Sequence, residues 1–450
     1  MNQTIRIKKG LDVPLGDEVQ RTLVDARTIE RYAVKPTDMV GFTPRLLVGE
    51  GDTVAAGQPL MADKNDPRIT LPSPVDGVVE AIIRGEKRKL MEVVVRRAPK
   101  DPKDPNDLKD SKNLTTDSPC WWMLRERPFG TIANPDHKPK GIYVSMRDTN
   151  PLAPDIDFTL KGREHEFAAG VEALSAFAEV HCVRAEGPHP AGNIGTIVAA
   201  LDPINKGEYV WHVGAQDVAN IGRWCLTGEY RPERVVAVGG PAAKAPKYYR
   251  VFCGACLKRI NEVQLIDSNY PTLSTFHSPL STRIISGSVL SGTAIAADGF
   301  LGMYDQQVTL IEEGDRYDFM GWLMPGFKKF SFSKTFLSGL LRPLMSLRSL
   351  ESLETLKTLT PSYNFNTNLH GGRRPFLFTG NFERVFPFDI YPLQLIKACI
   401  VGDVELQEKL GIYEVEPEDF ALCEFIDPSK TEIQTIIREA LEVLRKEATE

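Results

Sequence analysis

Cys253-Gly-Ala-Cys256 is the pair whose spacing could bind a soft metal or cycle as a redox dithiol. A tetrahedral zinc site needs four ligands and an iron–sulfur cluster needs four cysteines. No second CxxC exists. The remaining cysteines (Cys120, Cys182, Cys225, Cys399 and Cys423) are scattered, and the seven histidines contain no HxxxH or HExxH pair. The odd total of seven cysteines fits thiols in a reducing compartment, so inert thiols and no metal are expected.

Phosphate chemistry is the next possibility. Gly187-Pro-His-Pro-Ala-Gly192-Asn-Ile-Gly195-Thr196 follows an apolar strand candidate, Ala178 to Val183, and opens a short helix. Glycines in that position let backbone N–H groups approach a phosphate. The spacing is neither GxGxxG nor GxxxxGK[ST], and Pro188 and Pro190 remove two amides from any cradle. A Rossmann-like loop holding no nucleotide is expected. His189 and His212 could act as general base or proton donor, but no Ser, Cys or carboxylate partner is identifiable, so hydrogen-bonded structural histidines are expected. The carboxylate pairs Glu164/Glu166 and Asp155/Asp157 are expected on solvated faces.

A third chemistry is a swinging arm. Arg45 to Ile82 contains Val48-x-x-Gly51-Asp52-x-Val54-x-x-Gly57 and Ser73-Pro74-x-x-Gly77-x-Val79, alternating strand runs of the kind that form a lipoyl- or biotin-carrying half-barrel. Lys64 lies near the place of the modified lysine. Leu60 to Lys64 is short for such a hairpin and Asp66-Pro67 interrupts the outgoing strand, so an unmodified structural sandwich is expected.

The elements that must hold these groups suggest several parts. A chain of 450 residues corresponds to about three domains at roughly 150 residues each. The net charge of −6 argues against general nucleic-acid binding, which needs a cationic field. No apolar run approaches the roughly 18 residues that span a bilayer, and the first residues lack the apolar core of a signal peptide, so a cytoplasmic location is expected. Lys100 to Asn113 is charged and proline-broken and reads as a connector. Beyond it, Gly141 to Met146 reads as a strand, Glu166 to Phe177 as a helix and Ala178 to Val183 as a strand, an alternation that predicts a parallel sheet. Arg234-Val-Val-Ala-Val-Gly-Gly-Pro241 looks like a repeat of the strand-to-glycine unit.

Arg283 to Gly314 predicts a compact β module. Phe327 to Arg348 is basic and contains no acid; Phe336, Leu340, Leu341, Leu344 and Met345 share a helical face, broken by Gly339 and Pro343. Such a segment suits docking to a membrane protein or anionic lipid, with a core-facing helix as the alternative. Glu432 to Lys446 has clean helical periodicity.

Several ordered blocks resemble one family: Ile5-x-Ile-Lys-Lys-Gly-Leu-Asp-x-Pro14, Asp148-Thr-Asn-Pro-Leu-Ala153, Gly187 to Gly192, Arg283 to Thr293, Gly321-Trp-x-Met-Pro-Gly326 and Gly380-Asn-x-Glu-Arg-Val385. Along almost the whole chain they resemble the A-subunit family of the bacterial Na+-translocating NADH:quinone reductase. The resemblance implies an α/β multidomain fold: an unmodified barrel-sandwich hybrid at 1–100, a Rossmann-like α/β domain at 114–260, a β-grasp module at 261–330 and a docking segment with an α-rich C-terminal region at 331–450.

It also implies a peripheral component, on the cytoplasmic face of the inner membrane, of a six-subunit complex that oxidises NADH, reduces quinone to quinol and pumps Na+. The five partners are the remaining components, B to F, and FMN, FAD, riboflavin and the iron–sulfur centres belong to them. Quinone is the ligand expected of this chain, with His189, Gly192, Trp322, Met324 and Phe327 as candidate contacts. Lys328, Lys329, Lys334, Phe336, Leu340 and Arg342 are candidate docking residues, and no residue is assigned a catalytic or metal-binding role. The related ferredoxin:NAD oxidoreductase component with two [4Fe–4S] clusters is excluded by cysteine count. A non-catalytic scaffold capping the membrane subunits is the alternative function.

Overall fold

The structure is a computed structural model describing residues 2–16, 18–98, 112–265, 282–315, 320–321, 323–324, 326, 329–332, 336, 363, 365–376 and 380–449. Among these residues, three structural units and a helical C-terminal region are built around four sheets.

The half-barrel pattern folds into two small facing sheets. One has the order Arg31–Val34, Leu90–Arg97, Gly77–Arg84, Thr53–Val54; the other has Pro44–Leu46, Pro59–Asp63, Thr70–Pro72. Val54, Leu60, Leu71, Val79 and Val93 fill the space between and around them. Gly51 and Gly57 turn the chain at positive φ (+89° and +85°), where a side chain would strain the backbone. This unit positions the rest through its edge. The Ala33 N–H donates to the Gly254 carbonyl (2.8 Å) and the Cys256 N–H to the Arg31 carbonyl (3.0 Å).

The α/β sheet runs in the order Asn2–Arg6, Val180–Glu186, Ile142–Ser145, Val210–His212, Arg125–Arg127, Thr131–Ile132. Its first four strands are parallel, as the alternating pattern predicts, and its last two are antiparallel. The helices Glu164–Leu174 and Ala215–Thr227 pack together beside it, joined by Arg163 Nη2 to Asn220 Oδ1 (2.8 Å) and Arg223 Nε to Glu166 Oε1 (2.7 Å). Glu166 is therefore shared between two arginines rather than solvated, and Asp155 caps the helix Ile156–Leu160.

The third unit is a mixed sheet ordered Thr293–Ile295, Thr282–Ser286, Gln307–Glu312, Glu233–Gly239, Lys247–Phe252, Gln20–Asp25. Here the strand read as a repeat of the glycine-loop unit finds a different place. Glu233–Gly239 pairs antiparallel with Lys247–Phe252 and parallel with Gln307–Glu312, away from the α/β sheet. The first 25 residues, placed with the sandwich by sequence, likewise give one strand to each of the other two large sheets. Strand partners so distant in sequence leave no local signal.

The C-terminal region is helical: Phe382–Val385, Pro392–Val401, Val404–Lys409, Ala421–Ile426 and Ile433–Thr449. Ile433, Ile437, Leu441 and Leu444 form the buried stripe of the last helix, as its period predicts. They pack with Phe382, Phe386 and Phe420, each worth about 2–3 kcal/mol when fully buried. Val13 joins the same core, which ties the N-terminal segment to the C-terminal helices. Among the described residues no helix is long and apolar enough to cross a membrane.

Candidate functional site

The glycine loop leaves the strand Val180–Glu186 and enters the helix Ile194–Leu201 at the end of the parallel strands, where an open α/β sheet usually binds its ligand. Its interior is closed by the chain itself. A Cβ on Gly192 would lie 2.2 Å from the Arg147 carbonyl oxygen. The glycine therefore permits close packing against the segment after Ile142–Ser145.

His189 is buried in this loop. Its N–H donates to Asp12 Oδ1 (3.0 Å), its carbonyl accepts from the Leu11 N–H (2.8 Å), and its Nδ1 lies 3.3 Å from Thr149 Oγ1. That hydroxyl oxygen also accepts from the Gly192 N–H (2.9 Å), so His189 and Gly192 are brought together through Thr149. Burial lowers the His189 imidazole to about 4, which keeps it neutral at pH 7. The arrangement anchors residues 10–12 onto the loop.

Asp419 packs against the first turn of the helix Ile194–Leu201. Both of its carboxylate oxygens lie within 2.4 Å of where a Cβ on Gly195 would stand, so the absence of a side chain at Gly195 admits the carboxylate against the first turn. Asp419 belongs to the short helix Pro417–Phe420, where Glu416 and Asp419 form a reciprocal capping box; the Glu416 N–H donates to Asp419 Oδ2 (2.9 Å).

Arg127 faces the same carboxylate. Its Nη2 donates to Asp419 Oδ2 at 2.6 Å, and its Nη1 lies 3.7 Å from Glu416 and 3.9 Å from Glu418. Arg127 and Asp419 are both fully buried side chains. Three carboxylates surround this one guanidinium. Burial, only partly offset by Arg127, raises Glu416 to about 7 and Asp419 to about 6. Arg127 Nε, Asp419 Oδ1, Glu416 Oε1 and Thr196 Oγ1 are buried without a direct hydrogen bond, which makes the cluster polar but incompletely paired. Sequence reading missed Arg127, Glu416 and Asp419. The Glu416-Pro-x-Asp419 capping pattern was visible, but its spatial partner was not.

The other sequence candidates lie apart from this cluster or only at its edge. His212 is buried on the strand Val210–His212 and burial holds it neutral, with Arg125 and Arg127 adding to the effect. Cys253 and Cys256 are buried. Burial pushes the Cys253 thiol up to about 11, and Cys256 Sγ donates to the Asp298 carbonyl (3.3 Å). Lys64 is exposed at the start of the loop after Pro59–Asp63, its N–H held by the Thr43 carbonyl (2.9 Å). Arg68 in that loop pairs with Asp136 (2.6 Å), which pins the hairpin to a neighbouring unit.

Met324 is exposed in a turn where its N–H donates to the Met320 carbonyl (3.2 Å). The Lys329 ammonium lies 5.3 Å from the centre of the Phe336 ring. Trp322, Phe327, Lys328, Lys334, Leu340 and Arg342 lie outside the described residues, so the basic docking helix is not described.

Comparison with known proteins agrees with this architecture. Residues 5–98 match the family model of the NqrA N-terminal barrel-sandwich hybrid domain, and residues 108–186 and 175–230 match that of the NqrA second alpha/beta domain. The chain is 35% identical over 478 residues to the A-subunit of the Na(+)-translocating NADH-quinone reductase of Rhodopirellula baltica, covering 98% of each chain. It is 35% identical over 475 residues to the protein of that name from Yersinia pseudotuberculosis, covering 98% of this chain and all of that one. A solved NAD+-reducing [NiFe]-hydrogenase aligns with 39% of this chain and 41% of its own at 12% identity and a TM-score of 0.27, too slight a likeness to bear on function. With relatives of this identity matched from end to end, and with the sandwich and α/β units both present, the chain belongs to the NqrA family, the A-subunits of Na(+)-translocating NADH-quinone reductase.

Proposed function

We propose that this chain is a peripheral subunit, on the cytoplasmic face of the membrane, of a complex that oxidises NADH, reduces quinone to quinol and pumps Na+. Its own part is to build and hold the quinone site together with membrane partners. The observation that carries the reading is end-to-end similarity to reductase subunits at 35% identity. The absence of a membrane-crossing helix among the described residues is consistent with peripheral attachment. In this reading the flavins and iron–sulfur centres reside in the five partner subunits, and the isolated chain is inactive.

The closed loop favours assembly over chemistry. His189 is neutral and enclosed, and Gly192 is packed against a carbonyl, so neither presents a free face to a quinone ring. This observation supports the second reading, a scaffold that caps the membrane subunits.

A tagged copy purified from its native membranes in mild detergent tests the proposal. Co-purification of membrane subunits with Na+-stimulated NADH:quinone reduction is the expected result, and a lone protein without that activity would overturn it. A photoreactive quinone then separates the two roles. Saturable labelling of this chain supports the quinone site, whereas labelling confined to a neighbouring subunit of the assembled complex supports the scaffold.

A further inference from the structure

The N-terminal strand Asn2–Arg6 forms one edge of the α/β sheet. Val180–Glu186 occupies its inner side and, among the described residues, no strand lies on its outer side. The Ile7 N–H donates inward to the Glu186 carbonyl (2.8 Å), so the alternation of a parallel ladder turns the amide and carbonyl groups of Thr4 and Arg6 outward. Ile5 and Ile7 pack inward, while Thr4, Arg6, Lys8 and Lys9 are exposed.

Over the C-terminal ends of this strand and Val180–Glu186 lies a shallow open groove of about 550 Å³, lined by Arg6, Lys8, Arg147 and Glu186 with Ile7 and the Gly187-Pro188 turn; Arg6 and Lys8 stand on its edge-strand side and Arg147 on the far side. Three cations face one carboxylate in a chain whose net charge is −6. Arg147 is oriented by donation from its Nη1 to the Ala185 carbonyl (3.2 Å). None of the three cations is in an ion pair among the described residues.

We propose that this edge receives an extended acidic segment of another subunit of the complex, added as a strand whose carboxylates lie against Arg6 and Lys8. The inference rests on the functional reading above. Main-chain pairing along a free edge supplies affinity, and the charges supply the choice of partner. The same cations repel a second copy of this edge, so they select against self-association and for a strand of opposite sign. A lipid surface would use the charges but not the ladder.

The test uses the assembled complex with the photo-crosslinker p-benzoylphenylalanine in place of Thr4. Irradiation followed by peptide mass spectrometry is expected to join position 4 to an Asp/Glu-rich segment of another subunit. Arg6→Glu combined with Lys8→Glu should reduce that product about tenfold while leaving the melting temperature of the free chain unchanged. An intact complex with no product, or with products only to a copy of this chain, to lipid or to a segment without surplus acid, would overturn the edge proposal alone. Failure of the tagged chain to bring down any membrane subunit would overturn the proposed function and this proposal with it.

Discussion

Arg127 and Asp419 meet at 2.6 Å in a fully buried pair, although 292 positions separate them in the chain. The contact fastens the helical C-terminal region to the α/β sheet and seats a carboxylate on the helix that follows the glycine loop.

Replacing Arg127 leaves two buried carboxylates, Glu416 and Asp419, without their cation. Arg127→Met should cost about 3–5 kcal/mol in urea unfolding, because a stranded buried charge loses its partner without regaining water. Adding Asp419→Asn should recover part of that loss. A cost below about 1 kcal/mol for Arg127→Met would sink the ion-pair account.

The cluster also fixes a pH dependence. Glu416 rises from 4.5 to about 7 and Asp419 from 3.8 to about 6 in the folded chain, so folding takes up protons between those limits. Their contribution is fully present below the unfolded values and is lost as pH rises through the folded ones. His189, lowered from 6.5 to about 4, has the opposite slope, losing its contribution as pH falls through that range. The informative quantity is therefore a difference: stability of the parent minus that of Glu416→Gln should decline from about pH 5 to about pH 7. A flat difference in urea midpoints would show that Glu416 does not hold its proton.

Gly195 is needed for its missing side chain. Gly195→Ala places a methyl group within 2.4 Å of both oxygens of the Asp419 carboxylate, whose Oδ2 is held by Arg127 and by the capping box. The expected loss is about 1–3 kcal/mol of overpacking, smaller when Asp419→Ser is also present. Equal losses in the two backgrounds, measured by thermal melts, would mean that the carboxylate does not occupy that space.

His189 holds the N-terminal segment to the loop through its backbone N–H and carbonyl, and its imidazole meets Thr149. With His189→Gln in the complex, NADH:quinone turnover should stay within about twofold for every molecule that assembles. A loss beyond about tenfold with normal assembly would make His189 part of the chemistry.

Lys64 is an exposed residue on a pinned hairpin. Lys64→Ala should change stability by no more than about 0.5 kcal/mol and leave activity intact. The intact mass of the native chain should correspond to its unmodified 50.1 kDa sequence; an added acyl group at Lys64 would restore the carrier reading.

Much of the local structure was legible because its signals are periodic or punctuated. The glycine-marked runs at 48–79 became the sandwich, and the apolar stripe at Ile433, Ile437, Leu441 and Leu444 became a helix. Strand–helix alternation from Ile142 to Leu201 became the parallel part of a sheet. The N-terminal strand was harder. NQTIR carries little alternation of its own, and its place beside Val180–Glu186 depends on backbone pairing with a distant segment.

By itself, the sequence determined the element types and, through the blocks it shares with its relatives, the family. Those properties rest on residue type and short spacing, which a linear chain displays directly. Tertiary structure alone decided that Glu233–Gly239 joins a different sheet, that Cys253 and Cys256 are enclosed beside the Arg31–Val34 strand, and that Asp419 occupies the helix end behind Gly195. Each of these depends on which distant surfaces exclude water together, and burial and close approach are properties of the folded arrangement rather than of any segment.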